Sequence, residues 1–199
     1  MAKRLFDIGV ALTLLALTLP LWLAIAIGIR ISSPGPIFYR GRRTGRGGRE
    51  FRILKFRTMI VDAERVGGGT TALGDARVFP FGRLLRGWKL DELPQFWNVL
   101  CGEMSLVGPR PELAAYTDRY TQDERAILSV LPGITDLSSI RFSSLDEVVG
   151  KENADRVFEE RVLPEKNRLR LEYVRTRTFL GDLRILAMTG LCIVRKILR

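Results

Sequence analysis

The chain opens with a long apolar segment. Residues 8–29, IGVALTLLALTLPLWLAIAIGI, contain no charged residue. A continuous helix of this length would be roughly 33 Å long, which matches the hydrocarbon core of a bilayer. The segment is longer than the apolar part of a signal peptide, and no small-x-small cleavage site closes it. The pattern therefore predicts a membrane element that stays attached to the protein.

The charges around this segment argue against a simple span. Basic residues mark the cytoplasmic side of a membrane helix, and here they lie at both ends. Pro20, near the middle, lacks a backbone donor and clashes with the carbonyl one turn earlier. We therefore predict a re-entrant helix–break–helix hairpin over residues 1–33, broken at Pro20, with both ends on the cytoplasmic face. A single span kinked at Pro20 is the alternative. The basic residues are Lys3 and Arg4 before the segment and Arg30, Arg40, Arg42, Arg43, Arg46 and Arg49 after it.

Beyond this element, residues 34–199 are predicted to form a cytoplasmic catalytic domain, α/β in class and dominated by helix. The turn SSPGP precedes two short strands, at about residues 37–40 and 50–56, which form a small β-hairpin around a Gly/Arg loop. A Gly-rich surface loop occupies residues 64–78. A helix is predicted after Pro94, which suits a first helical turn.

The final third of the chain is predicted to be helical, with breaks at Pro164 and Gly181, and LPGITDLSSIRF before it as a turn and a strand-like run. A basic amphipathic helix at the C-terminus is typical of a membrane interface. A helix that faces the core of a protein would show the same pattern. The apolar positions are Leu183, Leu186, Leu191, Val194, Ile197 and Leu198, and the basic ones are Arg184, Arg195, Lys196 and Arg199.

The charge balance indicates a polyanionic partner. The net charge is +10, from 32 Lys and Arg against 22 Asp and Glu, which suits nucleic acid, phosphorylated substrates or anionic membrane lipids. The basic run YRGRRTGRGGR has no interleaved aromatic platform and directly follows the membrane element, so lipid headgroups or substrate phosphates are favoured over nucleic acid. The chain has no histidine, so acid–base or nucleophilic chemistry falls to other side chains.

The stretch KLDELPQFWNV places two acids, Asp91 and Glu92, in this basic chain. An aspartate can attack phosphorus and form an acyl phosphate, and a neighbouring glutamate can hold Mg²⁺ beside substrate phosphates. Arg86 and Arg110 could bind a diphosphate through bidentate hydrogen bonds, and Lys55 could add a point charge. Taken alone the signal is weak, because acids also favour helix N-termini.

Longer motifs strengthen the prediction of a carboxylate site at Asp91 and Glu92. KFRTM (55–59), KLDELPQFWNVLCGEMSLVGPRP (89–111) and PGIT (132–135), preceded by KRLFD (3–7), resemble the bacterial sugar transferases. These are monotopic polyprenyl-phosphate phosphoglycosyl transferases of bacterial inner membranes that start glycoconjugate assembly. The resemblance covers nearly the whole chain and is to the short form, a re-entrant helix with a catalytic domain.

The resemblance implies a role for each matching residue. Asp91 matches the nucleophile that attacks the β-phosphorus of a UDP-sugar and expels UMP, and Glu92 matches the acid associated with Mg²⁺. Polyprenyl phosphate, such as undecaprenyl phosphate, then takes the sugar phosphate from Asp91. Lys55, Arg86 and Arg110 match basic positions that contact phosphate.

Other positions match the family less uniformly. Pro20 matches the helix-breaking proline, and Arg4 and Asp7 fall in a KRxxD pattern at the base of the hairpin. Many relatives read PGITG, followed by a segment ending in GR, whereas this chain has Asp136 in place of the glycine, and Arg141 only approximates the later arginine. Asp136 either caps a turn or touches substrate.

Two other functions remain open at this point. A membrane glycosyltransferase would move only the sugar and release UDP, and a non-enzymatic basic scaffold would tolerate isosteric changes at Asp91. The sequence does not identify the sugar, the polyprenol length or the oligomeric state.

Overall fold

Helices dominate the structure, a computed structural model that describes residues 1–198. The α-helices are α1 (Ala2–Ser32), α2 (Ala63–Val66), α3 (Pro80–Gly87), α4 (Gln95–Leu100), α5 (Ala114–Thr117), α6 (Leu137–Arg141), α7 (Leu145–Val149), α8 (Ala154–Val157), α9 (Leu163–Thr176) and α10 (Phe179–Ile197). Short 3₁₀ helices span Arg46–Gly48, Leu90–Glu92 and Glu124–Ser129, and a π-helical turn spans Phe158–Val162. The strands are β1 (Phe38–Thr44), β2 (Glu50–Phe56), β3 (Ser105–Val107) and β4 (Gly133–Thr135). The prediction of a helix-dominated α/β fold with a long apolar N-terminal helix is confirmed.

Helix α1 is long and apolar enough, by length and composition, to cross a membrane. Pro20 lies inside this helix rather than between two separate helices, so the break at Pro20 stays a prediction. The Thr18 hydroxyl donates to the Leu14 carbonyl at 2.6 Å, and Trp22 Nε1 donates to Thr18 Oγ1 at 3.2 Å. These bonds supply polar contacts on both sides of the proline. Leucines in the middle of α1 are exposed, among them Leu12, Leu17, Leu19 and Leu23.

Both ends of α1 pack against the rest of the protein. Near the N-terminus, Ala11 joins a core cluster with Val99 and Met104. Near the C-terminus, Ile25 and Ile29 join a second cluster that includes Phe56, Phe79 and Leu85. The polar residues of KRLFD add to the first contact. Asp7 accepts hydrogen bonds from Ser105 Oγ and Leu106 N, Arg4 donates to the carbonyls of Leu100 and Met104, and Lys3 pairs with Asp182 at 2.5 Å.

The β-hairpin follows α1 directly. Strand β2 has the predicted bounds, but β1 continues four residues past its predicted end at residue 40 and includes the first part of the predicted Gly/Arg loop. The two strands pair antiparallel along their whole length, from Phe38 opposite Phe56 to Thr44 opposite Glu50. Backbone pairing with all of β2 therefore overrides the polar composition of the arginine run.

A second small sheet carries the segment next to the candidate site. Strands β3 and β4 are parallel, with Ser105 opposite Gly133 and Val107 opposite Thr135. The backbones of Gly108 and Gly133 touch, since a Cβ on Gly133 would overlap the Gly108 nitrogen. The sheet therefore brings the turn after β3 next to the turn after β4.

Within residues 131–142, predicted as a turn and a strand-like run, Gly133–Thr135 form strand β4, whereas Leu137–Arg141 form helix α6. Asp136 caps this helix by accepting a hydrogen bond from Ser139 N at 2.6 Å. The break predicted at Gly181 falls slightly earlier, since Thr178 caps the start of α10. In α10 Ile185 is buried in the core, whereas Leu180, Leu191 and Val194 are exposed. Arg199, the last residue of the predicted catalytic domain, lies outside the described residues.

Candidate active site

The acid pair lies in a short 3₁₀ helix between α3 and α4. The chain leaves α3 at Gly87 and enters this helix through Lys89, whose backbone is left-handed at φ 59°. A left-handed conformation is uncommon for a residue with a side chain and often marks functional sites. Lys89 directly precedes the 3₁₀ helix that carries Asp91 and Glu92, and Asp91 is 7% exposed.

Glu92 is held by two basic side chains from other elements. Lys55 on β2 donates to Glu92 Oε1 at 3.3 Å, and Arg110, in the turn after β3, donates to the same oxygen through Nη2. Burial alone would raise the pKa of Glu92, but Arg110 and Lys55 hold it well below its usual range. Glu92 is therefore an ionised carboxylate whose orientation is fixed by these two contacts.

Asp91 is placed differently from Glu92. Its Oδ1 is buried and has no hydrogen-bond partner within residues 1–198. Burial and the neighbouring charge of Glu92 raise the pKa of Asp91, against the lowering effect of Lys55 and Arg86. An unpaired buried carboxylate oxygen is costly, so this atom is available to a ligand or a reacting group.

Arg86 brings positive charge to Asp91 from α3. Its Nη2 donates to Thr71 Oγ1 at 2.7 Å, so it is tied to the Gly-rich loop predicted at residues 64–78. An open cavity of about 860 Å³ lies between this loop and the start of α8. Arg86 therefore connects the charges around Asp91 to the Gly-rich loop.

The Gly-rich loop is ordered around one arginine. Arg77 donates to the carbonyls of Ala63, Gly68 and Thr70 and pairs with Asp75 at 2.7 Å. A single guanidinium can organise a loop in this way because it has five donors in a fixed plane. The loop that carries Thr71 thus has a defined path beside Arg86.

Most of the predicted site residues come together. Lys55, Glu92 and Arg110 are in direct contact, and Asp91 lies among the same charges. Arg141 does not join them. It is exposed on α6, and its charge acts on Glu165 of α9.

The structure adds residues that sequence reasoning did not assign to the site. Asn98 on α4 accepts from Leu54 N and donates to the Arg52 carbonyl, both at 2.9 Å. These bonds fix β2 against α4, so that Lys55, the next residue on the strand, faces Glu92. The only sequence signal for Asn98 was a polar residue on the apolar face of a predicted helix.

Lys89 and Asp136 are the other additions. Lys89 contributes positive charge to Asp91 and Glu92, and its place in KLDELP was the only hint. Asp136 accepts a hydrogen bond from Arg110 N at 3.0 Å. The capping role considered for Asp136 is confirmed, and this further contact ties it to the site.

Comparison with known proteins agrees with the motifs. The sequence profile of the family described as "Bacterial sugar transferase" matches residues 1–196. The UDP-N-acetylgalactosamine-undecaprenyl-phosphate N-acetylgalactosaminephosphotransferase of Aeromonas hydrophila is 45% identical over 121 residues, which cover 61% of this chain and 29% of that protein. The UDP-glucose:undecaprenyl-phosphate glucose-1-phosphate transferase of Xanthomonas campestris pv. campestris is 39% identical over 196 residues, 95% of this chain and 38% of that protein.

A shorter relative is covered over a larger share of its own length. The enzyme of the same name from Caulobacter vibrioides is 37% identical over 190 residues, which cover 94% of this chain and 67% of that protein. This chain thus spans about a third of the length of the first two relatives and two thirds of the third. Because the family profile matches almost all of it, the chain belongs to the bacterial sugar transferase family.

Proposed function

We propose that the chain transfers a sugar 1-phosphate from a UDP-sugar to polyprenyl phosphate, such as undecaprenyl phosphate, and releases UMP. The product would be a polyprenyl-diphospho-sugar, the first membrane-bound intermediate of glycoconjugate synthesis. The observation that carries the proposal is the buried, unpaired Oδ1 of Asp91 among the charges of Lys55, Arg86 and Arg110. The names of the relatives support the same class of reaction.

The proposed reaction has two displacements at phosphorus. Asp91 attacks the β-phosphorus of the UDP-sugar, the bond from that phosphorus to the bridging oxygen breaks, and UMP leaves with that oxygen and the electron pair. The sugar phosphate is then held on Asp91 as an acyl phosphate. An oxygen of polyprenyl phosphate attacks the same phosphorus and displaces the Asp91 carboxylate. Arg110 and Lys55 offset the negative charge of the phosphoryl groups, which is the main task in phosphoryl transfer.

We propose Mg²⁺ as the cofactor, because the carboxylates fit it. Mg²⁺ is usually held by one or two carboxylates with substrate phosphates supplying further ligands. Both basic contacts of Glu92 are made to Oε1, and Asp91 Oδ1 is unpaired among the described residues. No group of three or more potential ligands occurs in the described part of the chain, so the substrate would complete the set. When bound, the ion would offset charge on the diphosphate.

For the membrane, we propose a re-entrant arrangement in which α1 enters the bilayer and returns to the cytoplasmic face. A helix that crossed the bilayer would put its two ends on opposite sides. Lys3 contacts Val107 and Asp182, however, and Ile29 packs in the cluster that contains Phe56 and Leu85. Both ends of α1 thus contact the same body, which supports their location on one face of the membrane. The exposed apolar residues of α10 would rest on the membrane surface with the basic residues near anionic lipids.

The nucleotide product tests the proposed function. Purified full-length protein in detergent would receive Mg²⁺, undecaprenyl phosphate and each of a panel of UDP-sugars. We expect UMP from at least one sugar, and a loss of about 10³-fold or more in Asp91→Asn, because the carboxylate nucleophile is gone. Asp118→Asn, a change of an exposed acid away from the site, is the matched control and should keep wild-type activity.

The other outcomes discriminate the competing functions. Release of UDP would contradict the assignment of Asp91 and favour a glycosyltransferase that moves only the sugar. UMP formation that survives in Asp91→Asn would contradict the covalent route. A repeat with EDTA in place of Mg²⁺ should abolish UMP release, and undiminished activity would contradict the proposed cofactor.

A further inference from the structure

A buried ionic network lies behind the candidate active site, outside the chemistry proposed above. Its centre is Arg170 on α9, whose side chain is 0% exposed. Arg170 Nη2 donates to Glu112 Oε1 at 2.7 Å, and Arg170 Nε lies 3.6 Å from Asp136 Oδ2. A buried guanidinium is tolerated only with close anionic partners. Glu112 accepts a hydrogen bond from it, whereas Asp136 acts through its charge, since Arg170 Nε has no hydrogen-bond partner within residues 1–198.

Asp136 uses both of its carboxylate oxygens. Oδ1 accepts from Ser139 N and Ser139 Oγ at 2.6 and 2.7 Å, Oδ2 accepts from Arg110 N at 3.0 Å, and Ser138 Oγ lies 2.9 Å from each oxygen. Burial favours the neutral acid, but the Arg170 charge and these hydrogen bonds hold the pKa of Asp136 below its usual range. The carboxylate is therefore charged and shared between the start of α6 and Arg110.

Arg110 depends on this contact for its backbone position. It lies between Pro109 and Pro111, which have no N–H. The Arg110 amide is thus the only backbone donor of the Pro-Arg-Pro segment, and Asp136 accepts its hydrogen bond. From this anchored backbone the guanidinium reaches both the Ile134 carbonyl and Glu92 Oε1.

Arg170 holds the same segment at a second point. Glu112, two residues after Arg110, accepts from Arg170, and Lys166 lies 3.7 Å from the same Glu112 oxygen. Arg170 therefore contacts Asp136, which binds the Arg110 amide, and also Glu112, which lies immediately after the Pro-Arg-Pro segment. This arrangement leaves the Pro-Arg-Pro turn little freedom to tilt.

We propose that Asp136 and Arg170 form a positioning pair, in which Asp136, held by Arg170, fixes the backbone of Arg110 so that its guanidinium keeps one orientation toward Glu92 and the substrate diphosphate. The part of this proposal that concerns substrate rests on the proposed function. Neither residue needs to touch the substrate, because both act through Arg110.

Two substitutions separate this role from the capping of α6. Asp136→Asn keeps one carbonyl oxygen, which can accept from Ser139 N or from Arg110 N, but not from both sides as the carboxylate does. Asp136→Ser keeps a preferred helix cap and loses the second acceptor. Arg168→Met changes an exposed arginine on the same helix, two residues before Arg170, and serves as the control. Thermal melting shows which variants are folded at the assay temperature, and Asp136→Ser replaces Asp136→Asn if the latter is not.

A double-mutant cycle with Arg110→Met is the kinetic test. If Asp136 acts through Arg110, Asp136→Asn should lower kcat/KM about tenfold in the wild-type background and less than about twofold in Arg110→Met, because coupled residues are not additive. Arg168→Met should leave kcat/KM unchanged in both backgrounds. An equal loss from Asp136→Asn in the two backgrounds would overturn the proposal and leave Asp136 a purely structural residue.

Hydrogen exchange at the Arg110 amide gives a readout that needs no activity. In the full-length protein, Asp136→Ser should exchange this amide about tenfold faster than the wild type, because the serine hydroxyl caps α6 and leaves the Arg110 amide without its acceptor. Arg168→Met should not change it. Unaltered exchange in Asp136→Ser overturns the positioning pair, whether or not the enzyme is active. Absence of UMP from the wild type would count against the proposed function alone.

Discussion

At the scale of single residues, the site depends on side chains that serve two partners at once. Arg110 donates to a backbone carbonyl at Ile134 and to the Glu92 carboxylate. Glu92 Oε1 in turn accepts hydrogen bonds from both Arg110 and Lys55. The planar guanidinium makes this double contact possible, because its donors point in fixed, different directions.

Replacement of Arg110 by lysine tests this double contact. Lysine keeps the positive charge but lacks the planar fork that reaches Ile134 O and Glu92 from two separate nitrogens, so we expect kcat/KM for UMP release to fall about a hundredfold. Arg83→Lys, an exposed residue on α3, should have no effect. Wild-type activity in Arg110→Lys would mean that a point charge at this position is sufficient and that the orientation of the guanidinium is not required.

The sequence indicated the candidate site residues better than the residues that hold them. Asp91, Glu92, Lys55 and Arg110 stood out because they lie in compact motifs whose charged side chains suit phosphate and metal chemistry. Asn98 was missed because its partners are backbone groups of β2, 44 and 46 residues away. No local pattern encodes such contacts, since they depend on how β2 is laid against α4.

At the scale of elements, the approach of α3 to the end of β2 sets the position of Arg86. A Cβ on Gly82 would overlap the Thr58 carbonyl oxygen, so α3 can lie this close only because residue 82 has no side chain. Any residue larger than glycine must push the helix away. Arg86, one turn later on the same helix, would move with it.

We therefore expect Gly82→Ala to destabilise the protein and to reduce activity. Overpacking of this kind costs about 1–3 kcal/mol in free energy of unfolding, which would appear as a lower Tm together with a higher KM for UDP-sugar. Gly87→Ala, at the other end of α3, meets open space and should be neutral. Equal effects of the two changes would contradict the role of close packing at Gly82.

Helix α9 carries a buried lysine that makes stability depend on pH. Burial lowers the pKa of Lys166 from its ordinary 10.5 to about 8, despite the nearby Glu112 carboxylate. Between these two values the unfolded chain binds more protons than the native protein, so the free energy of unfolding rises with pH over this range. Below pH 8 the native state carries the full cost of the buried charge.

Lys166→Met removes the buried charge, while Glu112 keeps its contact with Arg170. We expect the Tm of the variant to exceed that of the wild type at pH 7, and the difference to narrow as the pH approaches 10. Thermal melts in the same detergent at pH 7, 8, 9 and 10 would measure it. A difference that does not vary with pH would contradict the depressed pKa.

Element prediction succeeded where local pattern and pairing agree. Strand β2 was predicted with its observed bounds, and the helix after Pro94 is present as α4. The strand-like run predicted within residues 131–142 is present only as Gly133–Thr135, because the Asp136 cap starts a helix at Leu137. Strand β1 is longer than predicted because its backbone, including Arg42 and Arg43, pairs with β2 along the whole of that strand.

At the scale of the whole molecule, the sequence left the path of α1 open, since the charge pattern suits a hairpin and the proline also suits a kinked span. The contacts at both ends of α1 are long-range ones that no local signal encodes. Asp7 reaches Ser105, and Gly28 packs so closely on Phe81 that a Cβ would overlap its ring. These contacts hold both ends of α1 against the same body, and the hairpin stays our proposal.

Accessibility of the two ends of α1 tests this topology. In a background with Cys101→Ser and Cys192→Ser, Ala2→Cys and Ser32→Cys place single thiols at exposed positions at either end. We expect both to resist a membrane-impermeant reagent in intact cells and both to react in inverted vesicles, as a cytoplasmic location requires. Labelling of one end from outside would establish a span and contradict the re-entrant arrangement.

The central claim is that Asp91 carries the sugar phosphate, and intact-protein mass spectrometry tests it most directly. Protein mixed with Mg²⁺ and an active UDP-sugar, without polyprenyl phosphate, should gain the mass of one sugar phosphate and release one UMP per chain. Asp91→Asn should show neither, and adding undecaprenyl phosphate should restore the wild-type mass. UMP release only after the lipid is added, with no mass increase at any time, would contradict a covalent intermediate on Asp91.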